Sequence, residues 1–228
     1  MPAFIDILLL LIFAGVTYCV AGEGAWGAAI TAISVILAGL FAMNFFESIC
    51  DSLLGSNYYW QERLDVIVLV GLFGGGVAGL RAGADYISPT YIGVHRMVHE
   101  GARWGCGILA GYVTMAFLLT ALHTAPLDRE FLGFKAERGN FFNTAPDRQW
   151  LGFMQRSSEW VYSKWPKRIF DGPEKSMGEP GTFPDPVWSS FPIRYASRRQ
   201  LGAGGGAIGS QAPAVKQVAP QKAGGPAF

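Results

Sequence analysis

The chain has 228 residues, half of them hydrophobic, with 18 Lys and Arg against 17 Asp and Glu for a formal net charge of +1. That balance excludes the basic stripe on which nucleic-acid binding depends. Cys19, Cys50 and Cys106 are widely spaced with no CxxC, which excludes a disulfide framework and a cysteine zinc site.

Apolar residues crowd the part of the chain before Pro126, and most Lys, Arg and Pro lie after it. This asymmetry predicts a transmembrane four-helix domain over 1–125, an aromatic-rich juxtamembrane segment with a short amphipathic helix over 126–170, and a Pro/Gly-rich tail over 171–228. The fold class expected is an all-α membrane protein with four transmembrane helices, an interfacial amphipathic helix and a mostly disordered C-terminal tail.

The first span runs from Phe4 to Ala21, close to the ~20 residues that cross ~30 Å of hydrocarbon. No Lys or Arg lies in Met1–Ile5, Asp6 interrupts the start and three more apolar spans follow, so the segment reads as a retained helix rather than a signal peptide. Asp6 is the one carboxylate near the membrane in this span. It is read as marking the interface, with a proton path as the alternative. After the linker Gly22-Glu23-Gly24, Trp26 falls where an interfacial aromatic belongs.

The second span covers Ala28–Phe46 with Thr31, Ser34 and Asn44 as its polar side chains, and Asn44 is placed to reach headgroups or another helix. A polar stretch, Glu47–Asp65, carries Tyr58, Tyr59 and Trp60 to the membrane–water boundary. The third span, Val66–Tyr86, holds Gly71, Gly75, Gly79 and Gly83 at four-residue spacing, besides Gly74 and Gly76. In a helix each glycine costs about 0.8–1.0 kcal/mol relative to alanine. In a bilayer, a bare face of this kind lets a second backbone approach closely. Near the far end Arg81 and Asp85 are spaced to pair across one turn.

From Ser88 to Arg103, Val94, Met97, Val98 and Ala102 share one helical face and His95, Arg96, His99, Glu100 and Arg103 another, which predicts an interfacial helix. The fourth span, Cys106–Leu122, contains a second small-residue face at Gly107 and Gly111. Contact between spans three and four, or between subunits, accounts for both glycine faces. Beyond Pro126, Thr144 is placed to cap a short helix opening near Pro146 or Asp147, with Trp150, Phe153, Met154, Trp160 and Val161 as its apolar stripe. From residue 171 onward the composition cannot bury a core.

No catalytic constellation is visible. His95 and His99 lie one turn apart beside Glu100, yet HExxH and a third ligand are both missing, so no metal is expected. His123 is read as interfacial rather than as a proton relay. Gly74-Gly75-Gly76 sits inside a hydrophobic helix and cannot offer its amides to a phosphate, and no GxSxG or Walker loop occurs. No cofactor and no small-molecule substrate is indicated, and the chain is read as a non-enzyme. Four spans put both termini on one side, and the Lys and Arg distribution places that side in the cytoplasm.

The order of these features resembles the colicin V production protein (CvpA) family of bacterial inner-membrane proteins. Asp6 opens a short apolar helix, a linker from Gly22 to Gly27 precedes a span ending in Phe45 and Phe46, and a polar stretch precedes a last helix with Gly107-x-x-x-Gly111. The resemblance covers about Phe4–Leu122. The chain departs from the family pattern at Glu23, where a basic residue is usual, and at Arg103, where asparagine is frequent. The resemblance implies a multi-pass inner-membrane protein linked to colicin V production or secretion and envelope physiology, with no catalytic residues to carry over. A small transporter or channel subunit acting as an oligomer is the alternative, with Asp6, Asn44, Arg81 and His123 as its available polar groups. Expected partners are the lipid bilayer and either a second copy or another membrane protein.

Overall fold

A computed structural model describes residues 4–54, 58–87, 95–126, 141–160 and 191–195. Every regular element among the described residues is a helix: α1 (Phe4–Gly22), α2 (Gly24–Leu54), α3 (Tyr58–Ile87), α4 (Arg96–Leu122), α5 (Pro146–Trp160) and a single turn, α6 (Phe191–Arg194). The first four are long and apolar enough to cross a membrane. The 19 residues of α1 rise ~29 Å, which matches the hydrocarbon thickness.

Helix α1 gives way to α2 within one residue. The Glu23 amide donates to the Val20 carbonyl at 3.1 Å, and Gly24 takes φ +86°, a left-handed conformation that only glycine adopts without strain. Two polar stretches expected to interrupt the helices are themselves helical. α2 continues past Phe46 to Leu54 and α3 opens at Tyr58, so most of Glu47–Asp65 extends the spans. Arg96–Arg103 is likewise the opening of α4 rather than a separate interfacial helix. Residues 88–94 of that predicted helix lie outside the described residues. Hydropathy reports the surroundings of a segment, and helices continue beyond the hydrocarbon wherever their backbone bonds can.

The helices pack in the spatial order α1–α4–α2–α3, with α2 and α4 in the middle and α1 and α3 at the two edges. Of the spanning stretches, 56% of both α2 and α4 is buried, against 28% of α1 and 11% of α3. The α1–α4 contact is made by Gly107 and Gly111. A side chain at Gly107 would meet the Thr17 carbonyl at 2.9 Å, and one at Gly111 would meet the Phe13 carbonyl at 2.9 Å as well as the Thr17 hydroxyl. This corrects the expected contact between spans three and four, because the small face of α4 is turned to α1. Ile5 and Leu9 of α1 close the same seam against Met115 and Leu119.

α3 docks on α2 through Gly76, where an added Cβ would stand 3.0 Å from that of Ala38. Its Phe73 stacks on Phe117 of α4 at 4.1 Å between ring centroids. Trp150 of α5 meets Phe117 edge-on at 6.2 Å and fills the space beside Gly39 of α2. Four helices therefore share one aromatic knot.

α5 begins at Pro146, whose fixed φ suits the first helical position. Thr144 does not cap it, since its hydroxyl donates to the Phe141 carbonyl at 2.7 Å. The Ala145 carbonyl receives the first helix amides instead, from Arg148 at 3.0 Å. In the tail, Phe191 is fully buried against Phe46 and the Tyr195 hydroxyl donates to Glu47 at 3.2 Å. Residues 191–195 are thus an ordered piece within the stretch 171–228, which was expected to be mostly disordered, and the remainder of that stretch lies outside the described residues.

The same substitution should have opposite signs on the two glycine faces. In detergent-solubilised monomer, Gly111→Ala is expected to destabilise by about 1–3 kcal/mol through overpacking against α1. Gly75→Ala, with no described atom near its added methyl, is expected to be neutral or to stabilise by up to about 1 kcal/mol. Thermal melts of the two variants check this, and equal destabilisation would contradict the α1–α4 seam.

Candidate functional site

Side chains able to carry chemistry gather at the two ends of the bundle. At the end where α4 stops, the hydroxyls of Thr120 and of Thr124, in the turn just beyond it, donate to the α4 carbonyls of Ala116 and Ala121, at 2.9 and 2.8 Å. His123 is the side chain that reaches outward. Its Nε2 lies 2.8 Å from Asp147 Oδ2 at the start of α5, and both side chains are 0% exposed. With the carboxylate ionised, Nε2 carries the hydrogen, because an ionised carboxylate only accepts. Asp147 also sits in the first turn of α5, where the helix dipole favours negative charge. Arg148 Nε stands 3.8 Å from the same oxygen.

Beside this pair, the Tyr112 hydroxyl donates to Gln149 Oε1 at 2.7 Å, and Gln149 Nε2 donates to the Thr144 carbonyl at 3.0 Å. Gln149 thus ties α4 to the turn that precedes α5. In that turn Phe141, Phe142 and Asn143 all have positive φ, from 43° to 63°. Bulky residues rarely adopt this conformation, and the bonds from Gln149 and Asp147 hold it in place.

The opposite end is organised by Glu23. Its Oε2 accepts from the Thr31 hydroxyl at 2.9 Å and lies 3.2 Å from Arg81. Arg81 also donates to the Gly27 carbonyl at 3.2 Å and stands 3.5 Å from Asp85. The Glu23 side chain is 38% exposed, so water screens the pair and its worth is about 1 kcal/mol or less. Its role is geometric, fixing α3 to the α1–α2 turn.

Asn44 donates to the Leu40 carbonyl of its own helix at 2.8 Å, and Asp6 is half-buried in the first turn of α1. Asp6 and His123 lie toward one end, with Arg81 and Asp85 at the other. Among the described residues no group of three His, Cys, Asp or Glu could hold a metal ion.

The glycine ladder lies on the exposed edge. Cβ atoms placed at Gly71, Gly75, Gly79 or Gly83 would meet no described atom within 4 Å. Beside the ladder, a groove of about 560 Å³ runs between α2 and α3, lined by Leu37, Phe41, Asn44, Phe45, Gly76, Gly79 and Leu80.

The sequence reading missed Asp147, Glu23 and Gly39. For Asp147 the available signal was a histidine just past a span followed by Pro-Asp at a helix start. For Gly39 no local signal existed, because its partner Trp150 is remote in the chain. No family model, curated protein or solved structure matches the chain.

The His123–Asp147 pair should behave as a structural joint between α4 and α5. His123→Ala removes a buried partner of a carboxylate and is expected to cost about 3 kcal/mol or more. His123→Gln, which keeps an N–H in reach, should cost markedly less. Thermal unfolding, with protease cleavage inside 141–160 as a local readout, measures both. A loss below about 1 kcal/mol for His123→Ala would show that the bond does not hold α5.

Proposed function

We propose that the chain is a non-catalytic multi-pass membrane protein that works by presenting α3 to another transmembrane helix, either of a second copy or of a different membrane protein. The observation that supports this is the mismatch between the composition of α3 and its surroundings. Gly71, Gly74, Gly75, Gly79 and Gly83 each forgo about 0.8–1.0 kcal/mol of helix propensity, and no described atom occupies the space they leave open. Lipid tails gain nothing from a bare backbone that they would not gain from leucine, whereas a second helix gains close van der Waals contact. Lipid covers the rest of the exposed apolar surface.

The resemblance to the colicin V production family extends the proposal to a bacterial inner membrane, with both termini cytoplasmic, and to toxin production or secretion and envelope physiology. That extension rests on the resemblance alone. The transporter reading has less support, because its candidate polar groups are divided between the two ends of the bundle rather than converging at a midplane site.

Native mass spectrometry in nanodiscs, with disulfide trapping at Gly75→Cys in a chain whose Cys19, Cys50 and Cys106 are replaced by alanine, tests the contact. A trapped dimer, or a trapped partner protein, is expected. Gly75→Leu and Gly79→Leu should abolish it while leaving the monomer melt within about 1 kcal/mol of the parent, since both positions face open space. Assembly that survives both leucines would remove α3 as the contact helix.

A further inference from the structure

α6 is a single helical turn, and nothing in its own length accounts for its order. Its closing backbone bond, from the Tyr195 amide to the Phe191 carbonyl, is long at 3.4 Å. The first turn of a helix fixes several dihedrals for one hydrogen bond, so an isolated turn does not persist in water. The segment is ordered because it is docked. Among the described residues it is also the only piece beyond α5.

What holds it is a socket close to the end of α2. Phe191 is fully buried and meets the Phe46 ring edge-on at 6.4 Å between centroids. Tyr195 falls one turn later, on the same side, with its ring 4.9 Å from that of Phe191 between centroids. The tyrosine is buried as well, and its hydroxyl donates to the Glu47 carboxylate at 3.2 Å. A hydroxyl bonded to an ionised carboxylate adds a polar requirement to the apolar fit. A phenylalanine and a phenol one turn apart are therefore recognised as a pattern, with a pocket for one and a charged acceptor for the other.

The bundle itself is registered by other contacts. Trp150 against Gly39, Phe117 on Phe73 and the α1–α4 seam are all made without residues 191–195. Residues 161–190 separate the segment from α5, and that length of chain can extend to ~100 Å. A helix with its side chains is only ~10–12 Å across. The reach covers the socket of an adjoining molecule as well as the segment's own.

We propose that the Phe46–Glu47 socket is a peptide-recognition site, that Phe191–Tyr195 fills it as a tethered latch, and that the same segment of a second copy is the occupant that displaces it. An identical segment makes identical contacts in either molecule, so exchange between copies sacrifices no interaction. The tether keeps each socket filled by its own segment until another molecule lies close enough to compete at a like effective concentration. The proposal holds whether or not α3 has a helical partner, because the socket lies on α2 and its ligand comes from beyond α5.

A free, fluorescently labelled peptide of residues 186–200 tests it by anisotropy, against the full chain in nanodiscs. Phe191→Ala with Tyr195→Ala in the chain empties the socket, and that chain is expected to bind the peptide. The unaltered chain should bind it roughly tenfold more weakly or worse, as follows when its own segment fills nine sockets in ten. A peptide carrying Phe191→Ala should not bind the emptied socket, and one carrying Tyr195→Phe should bind about tenfold more weakly. Glu47→Ala in the emptied chain should remove the difference between the tyrosine and phenylalanine peptides. Equal binding to the emptied and unaltered chains would overturn the proposal, as would no binding to an emptied chain whose thermal melt matches the parent's. Should that melt be lost, hydrogen exchange of the unaltered chain decides. Amides 193–195 should then exchange about 100-fold faster than those of Ala38–Ala42 or more, whereas equal rates would make the segment a fixed part of the core.

Discussion

The absence of a side chain at Gly39 is the constraint on which the inner end of the molecule depends. A Cβ there would stand 2.6 Å from the Trp150 ring, so the indole occupies the volume that any other residue would fill. Trp150 in turn lies edge-on to Phe117, which stacks on Phe73. Through this chain of rings α5 and the edge helix α3 are both registered on the central pair, α2 and α4. Trp150 is 4% exposed, and burying a ring of that size is among the larger single contributions a side chain can make. Polar bonds around the knot set its orientation, while ring packing supplies its strength.

Charge is sorted to the two ends of the bundle, and each end solves a different problem. The Glu23–Arg81 contact lies at the tight α1–α2 turn and is partly exposed, so it sets the rotation of α3 without adding much stability. The His123–Asp147 contact is fully buried, where a carboxylate without a donor is costly. The first can be exchanged with water at little loss; the second commits α5 to the bundle. That difference explains why α5 can be treated as part of the membrane domain although the sequence places it after the last span.

Hydropathy located the spans because it reads which residues avoid water, and the opening of α5 was legible in Pro146 because proline at a first turn has a local cause. The helical ends of the spans were misread as loops and as a separate interfacial helix. α2 runs on through Glu47 and α4 opens through Arg96 and Arg103 without a break, since polarity by itself carries no instruction to stop a helix. The polar joints were illegible for another reason. His123 and Asp147 are 24 residues apart, and no periodicity records a pairing across a connection of that length. Phe191 and Tyr195 sit in a Pro/Gly-rich context, and their docking on Phe46 and Glu47 outweighs the composition around them.

The glycines show why spacing alone could not assign partners. Gly107 and Gly111 on α4 and Gly71, Gly75, Gly79 and Gly83 on α3 carry the same four-residue period, yet α1 fills the first pair and nothing described fills the other four. Period tells that a face is bare; the helix order decides what it meets. In the order α1–α4–α2–α3, the bare face of α4 is turned inward because α4 is a central helix, and its close contact with α1 is already satisfied within the chain. α3 is at the edge and uses Gly76 alone to seat on Ala38, so its ladder points away from the neighbour that holds it. A helix held by one side, with its propensity weakened on the other, is the arrangement expected where the remaining contact comes from outside the chain.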